Sequence, residues 1–130
     1  MTTPYTHKNL TEIEDSAAKF GYGEIQEARF AKRALDTEQT GVSYYSLRPA
    51  KRQPFAHRHN EAEEIYVVLS GSGRVKLDDE IIELRPLDAI RVAPGVVRAF
   101  EAGPEGLDVL AFGPRRDDDR GEMSQDWWSD

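Results

Sequence analysis

Between Glu64 and Phe112 the sequence alternates short apolar runs with turn formers, and no run is long enough for a helix of ordinary length. The runs are Glu64 to Leu69, Arg74 to Leu77, Ile81 to Leu84, Ala89 to Val92, Val97 to Glu101 and Leu107 to Phe112. Gly71-Ser72-Gly73, Asp78-Asp79-Glu80, Pro94-Gly95 and Gly103 through Gly106 separate them. Those residue types supply the dihedrals that tight turns demand. Glu27 to Ala31 and Val42 to Leu47 add two strand candidates upstream, the second rich in Val and Tyr. Many short strands at close spacing bury their apolar faces as a sandwich or a barrel. A parallel βαβ layer would need a helical pattern of roughly 10–15 residues between strands, and none is present.

The N-terminal stretch reads differently. Leu10, Ile13, Ala17 and Phe20 fall on one helical face, and Gly21 is a plausible stop. The spacing predicts a helix over Thr11 to Phe20, packed outside the barrel. The organisation expected is an arm with a helix and first strand (1–38), an all-β barrel (39–114) and a C-terminal tail (115–130). The strand Glu64 to Leu69 is apolar on both alternating faces apart from Glu64. One face can look into a barrel. The other, with Ile65, Val67 and Leu69, needs a second layer, either the N-terminal helix or a second copy, so a homodimer is expected.

Charge and composition narrow the function classes. There are 17 Lys and Arg against 24 Asp and Glu, a formal net charge of -7. An acidic surface repels phosphate backbones, so no nucleic-acid partner is expected. There is no cysteine, which removes disulfides, Cys-ligated zinc and thiol catalysis. No window approaches the ~18–20 apolar residues of a membrane span, so no membrane partner is expected. The start, MTTPYTHKNL, has no apolar signal region, and the expected location is cytoplasmic.

His57 and His59 are two apart, so on an extended chain both imidazoles point the same way. Glu64 opens the next strand, with Tyr66 and Val68 on its face. Two histidines and one carboxylate make the facial set that suits Fe(II) and leaves positions open for a ligand. The same donors suit Mn, Zn, Ni and Co.

The run His57-Arg58-His59, then four residues, Glu64, then six residues, Gly71, resembles the first motif of the cupin family. The second motif is present in part. Gly95 fits, whereas Leu87, Arg98 and Ala102 stand where Gly, His and Asn would be, and Pro94 is one place late. The resemblance spans roughly Thr40 to Phe112. It implies a jelly-roll β-barrel, often dimeric, with its site inside. It implies no particular activity, because the family holds enzymes, sugar-binding domains and storage proteins.

Arg98 stands where the family usually has a third histidine ligand. Arginine is always charged and has no lone pair to offer a metal. A guanidinium ~4 Å away at an effective dielectric of ~20 repels a unit charge by ~4 kcal/mol, doubled for a divalent ion. Three dispositions are open. Arg98 stands aside from a three-ligand metal site, or pairs with Glu64 in the metal's place, or turns to the cavity to hold an anionic ligand by its fork.

The expected function is small-molecule binding beside a divalent metal (Fe, Mn, Zn or Ni) on His57, His59 and Glu64, with oxygenase or isomerase chemistry within reach. The alternative is a metal-free, non-catalytic sensor in which Arg98 pairs with Glu64. Arg98, Tyr66 and Tyr44 are the candidate contacts to a small ligand, an anionic one where Arg98 meets it. Phe55, Phe100 and Phe112 are assigned to the core, and Asp117 to Asp119 to a solvated turn. Paired Trp127 and Trp128 are expected to dock on the barrel or a partner, with a cavity lid as the lesser option.

Overall fold

A computed structural model describes residues 4–115, 121–125, 127, 128 and 130. The Asp117 to Asp119 turn lies outside them. Among the described residues there are eight strands: β1 (Gln26–Phe30), β2 (Thr40–Leu47), β3 (Ala56–Arg58), β4 (Glu64–Leu77), β5 (Glu80–Leu84), β6 (Ala89–Val92), β7 (Arg98–Pro114) and β8 (Glu122–Ser124). The short helices α1 (Ser16–Lys19) and α2 (Lys32–Leu35) complete the fold with a 3₁₀ turn at Leu10–Glu12. The expected all-β class holds. No described helix is long and apolar enough to cross a membrane.

The strands form one sheet that curls on itself, and all its pairings are antiparallel. The long strands β4 and β7 run through both halves. In the first half the order is β1-β2-β7-β4-β6, using Leu107 to Pro114 of β7 and the start of β4. In the second it is β5-β4-β7-β3-β8, using Gly73 to Leu77 and Arg98 to Ala102.

The glycine clusters expected to end strands instead bend them. Register shifts between Val68 and Ser70, and between Gly71 and Gly73, mark the corner in β4. Gly71 (φ +83°) lies so close to β7 that a Cβ there would overlap the Gly106 carbonyl. Glycine is required at that corner because two backbones meet with no room for a side chain. Asp78-Asp79 and Pro94-Gly95 are turns, as expected. At the turn before β6, Leu87 adopts φ 72° although it carries a side chain.

A short N-terminal helix is present as expected, but α1 covers only Ser16–Lys19 and the run over Thr11 to Phe20 is broken. Asp15 interrupts it, its carboxylate accepting from the amides of Ala17 (3.1 Å) and, across the arm, Ala28 (3.0 Å). An Asp that caps N–H groups starts a helix rather than continuing one. Phe20 is 70 % exposed rather than packed on the barrel. Strands β3 and β8 and helix α2 were not foreseen, and β1 begins one residue earlier than expected.

The core joins both halves: Leu47, Val68, Val75, Leu84, Phe100, Leu107 and Val109 are buried together. Phe55 is half-buried edge-on to Tyr22. Phe112 is not core, a correction that follows from alternation. Its neighbour Ala111 faces in, so Phe112 faces out, 39 % exposed, beside Ile65 at 44 %.

Candidate metal centre and its cavity

Cross-strand pairing decides which residues meet inside. Tyr66 pairs with Ala111, Ala111 with Ser43, and Ser43 with Phe30. Two residues along β2 and β7, Gly41 pairs with Gly113. Small residues at these inward positions leave a cavity of about 390 Å³. It is lined by Phe30, Val42, Tyr45 and Ala62 among others, with Lys32, His57, His59 and Glu64 as its basic and acidic members.

His57 comes from β3, which belongs to the second half of the sheet, and Glu64 opens β4 in the first. The site therefore bridges the two halves. His57 pairs in register with Arg98. His59 follows β3, and its carbonyl accepts from the Gly95 amide at 2.7 Å. The imidazole rings stand edge to face, 5.4 Å apart. Nε2 of His57 lies 3.9 Å from Oε1 of Glu64, and Nε2 of His59 lies 3.7 Å from it. One ligating atom from each of the three lies within 4.8 Å of the others. Donors ~2.1 Å from a tetrahedral ion sit ~3.4 Å apart, so the two histidine–glutamate distances are within a few tenths of an ångström of that spacing. The donor set fits a divalent ion of the zinc, iron or manganese type.

Arg98 is fully buried and does not line the cavity. Its Nη2 donates to Glu64 Oε1, its Nε to the Tyr66 hydroxyl at 3.0 Å and its Nη1 to the Val96 carbonyl at 3.0 Å. Tyr66 in turn donates to Glu64 Oε1 at 2.9 Å. All three guanidinium nitrogens are thus engaged by the protein. Of the dispositions open to Arg98, the structure holds the pairing with Glu64, with the fork turned away from the cavity.

Electrostatics follow from this packing. Burial alone would raise the Glu64 carboxyl. The adjacent His57 imidazole and the Arg98 charge, with His59 and the Tyr66 hydroxyl, outweigh it and bring the carboxyl down to about 2. Burial pushes the His57 imidazole below its ordinary value against the pull of Glu64, which favours the neutral form that ligates metals. Burial also raises the Tyr66 phenol well above its ordinary value, with the Glu64 charge adding to it. Tyr66 is therefore a donor here, not a base.

The structure brings His57, His59 and Glu64 together and sets Tyr66 and Arg98 behind the carboxylate. It does not bring Tyr44 to them. Tyr44 pairs with Leu110 on the outward row, and Tyr45 takes the inward place. Tyr45, Phe30 and Lys32 were missed. For Tyr45 and Phe30 the signal is a period-two register shared by β1, β2 and β7, readable only once the strands are paired; Lys32 opens helix α2, and no strand pattern points to it. Trp127 and Trp128 dock on the barrel, against Arg52, Arg74 and Lys76, and do not line this cavity.

A curled antiparallel sheet with a His-His-Glu group on the wall of a cavity defines a small β-barrel with a candidate metal site. The cupin-domain family model matches residues 43–112, more than half of the chain, and the protein belongs to the cupin family. Similar solved structures include a cupin protein from Bacteroides fragilis (24% identity, TM-score 0.70, covering 99% of this chain and 99% of that one). Others are the polyketide cyclase RemF from Streptomyces resistomycificus (20%, TM-score 0.72, 96% and 87%) and a sugar phosphate isomerase homologue from Acidithiobacillus ferrooxidans (19%, TM-score 0.65, 82% and 80%). At these identities the likeness concerns the fold. No curated protein matches the chain in sequence.

Proposed function

We propose that the protein binds a small organic anion in the barrel cavity, next to a divalent metal held by His57, His59 and Glu64. The observation that carries this reading is the convergence of three ligating atoms within 4.8 Å on the wall of a cavity of about 390 Å³. Such an ion would supply Lewis acidity toward an oxygen of the ligand. The chain's own residues do the rest. Tyr66 and Arg98 hold the Glu64 carboxylate ionised and oriented, as partners behind a metal ligand do. Phe30, Val42 and Tyr45 offer an apolar wall, and Lys32 adds a cation to the lining. With a divalent ion, Arg98 and one carboxylate, the centre carries net positive charge, which favours an anionic ligand. Metal analysis of protein purified without chelator or nickel resin, followed by calorimetric titration with Zn, Mn and Fe(II), tests the reading. A near-stoichiometric ion, lost in His57→Ala, is expected; no binding of any ion to apo protein would refute it.

One observation favours a second reading, a metal-free binding pocket. Glu64 Oε1 already accepts from Arg98 and Tyr66, so the carboxylate is satisfied without an ion. The same titration separates the two.

A homodimer in the cytoplasm completes the proposal. Ile65, Leu69 and Phe112 give the outward face of β4 and β7 an apolar surface suited to a second copy. Sedimentation at ~100 µM should give a dimer, and Phe112→Asp a monomer, since a standard interface holds at micromolar or better.

A further inference from the structure

Strand β3 carries His57; the chain before it is bonded to β7 through Gln53 and Phe100, the His59 carbonyl after it accepts from Gly95, and within β3 the ladder to β7 is short. Only one of its residues, His57, pairs with β7. All three pair with β8: Ala56 with Ser124, His57 with Met123, and Arg58 with Glu122. Arg58 Nε also donates to the Glu122 carboxylate at 2.6 Å. Just before β8, Gly121 adopts φ +79° against the second histidine. A Cβ there would stand 3.0 Å from the Arg58 carbonyl and 3.3 Å from His59 Cε1. The backbone of His57 and the ring of His59 therefore rest on the C-terminal segment.

That segment is tied down beyond β8. Lys76 Nζ donates to the Trp127 carbonyl at 2.6 Å and lies 4.4 Å from the centre of its ring. The guanidinium groups of Arg52 and Arg74 lie 4.7 and 5.3 Å from the Trp128 ring. Arg52 also donates to the Asp130 carbonyl (3.0 Å) and carboxylate (2.6 Å), and Arg74 reaches the same carboxylate at 3.3 Å. Glu101 engages both arginines from behind and keeps them in place. These are cation–π and charge-assisted contacts concentrated on a few terminal residues. They hold down β8, whose ladder to β3 is three residues long.

We propose that the C-terminal segment is a positioning element of the metal centre: Trp127, Trp128 and Asp130, clamped by Arg52, Arg74 and Lys76, hold β8 against β3 and so set His57 and His59 for the ion. This rests on the metal reading above. Partners behind metal ligands typically change affinity 10–100-fold when removed, and this clamp acts one strand further out.

The experiment compares Co(II) and Zn(II) affinity, and the Co(II) visible spectrum, in wild type, Trp127→Ala/Trp128→Ala, Trp128→Ala, Trp128→Phe and Leu84→Ala. Leu84 is a buried core residue of β5, which does not pair with β3 or β8, so it reports general destabilisation. The double variant should bind about tenfold more weakly with an altered spectrum. Trp128→Phe, which keeps a ring for the cations, should recover most of what Trp128→Ala loses. Leu84→Ala should melt lower yet bind as wild type. Wild-type affinity in both Trp128→Ala and the double variant would overturn the proposal, as would equal weakening in Leu84→Ala. Should the double variant fail to fold, Trp128→Ala against Trp128→Phe decides by the same rule. Should wild type bind no ion, the metal reading fails on its own. Amide exchange across residues 56–58 then decides the positioning: faster exchange in Trp128→Ala than in Leu84→Ala supports it, and equal exchange overturns it.

Discussion

Two arginine–carboxylate groups lie close together on β7 and face opposite ways. Arg98 points inward and meets Glu64 with no exposed side-chain surface of its own. Glu101, three residues on, points outward and is shared by Arg52 and Arg74, which also reach Asp130. The chemistry is the same and the solvent is not. Inside, every guanidinium nitrogen has a protein partner, and removing one side strands a desolvated charge. Outside, water substitutes for a lost partner, so each contact matters little and the group acts by holding the tail. An arginine in a ligand position of a metal-site family thus becomes part of the core, and arginines on the surface become a fastening.

The largest expected effect is at Arg98. Arg98→Ala leaves Glu64 buried with its charge unpaired, which should cost about 3–5 kcal/mol. Added Zn, Mn or Fe(II) should restore part of the lost melting temperature, because an ion that binds only the folded state stabilises it by mass action. Arg98→His should bind metal more tightly than wild type, since it removes a cation and adds a donor. Thermal unfolding of the three proteins with and without each ion checks this. An Arg98→Ala protein as stable as wild type in chelator would erase the contrast between inside and outside.

The next effect is with pH. Glu64 has a folded-state value of about 2 against an ordinary 4.5, so its contribution is whole above about 4.5 and is lost as pH falls toward 2. At about 1.4 kcal/mol per pH unit this window is worth about 3 kcal/mol. His57 acts in the same direction. Its folded value lies below the ordinary 6.5, so protonation below pH 6.5 favours the unfolded chain. Denaturant melts from pH 7 to 3 should show falling stability, and Glu64→Gln should show a flatter fall from a lower start. An identical slope in that variant would remove Glu64 as the source.

The smallest effect is at the surface. Arg52→Ala and Arg74→Ala should each cost under about 1 kcal/mol of global stability. Raising the salt to about 1 M, where charges are screened beyond ~3 Å, should shrink that cost further and leave the Arg98→Ala cost nearly intact. Parallel salt dependence of all three would mean that the inner pair is as wet as the outer group.

Much of this was legible before any strand was paired. The His57-x-His59 spacing and Glu64 at the head of a strand named three residues that do converge. The turn signals at Asp78-Asp79 and Pro94-Gly95 marked real turns. The glycines at 71–73 and 103–106 misled because the same residue serves a turn and a close crossing of two strands. Tyr44 was the candidate and Tyr45 takes the inward place because, in a run with aromatics at adjacent positions, local pattern does not say which one faces in.

The sequence by itself determined the class, the family and the ligand types, because these depend on residue identity and short spacing along an extended chain. The tertiary structure alone decided what Arg98 does, which residues line the cavity and what supports β3. Those depend on contacts across long loops: Arg98 meets Glu64 across 34 positions and Lys76 meets Trp127 across 51. No local rule links residues so far apart. The first meeting is set by how β4 and β7 pack in the curled sheet and the second by the docking of the segment after β8, and the packed core imposes these on all the strands at once.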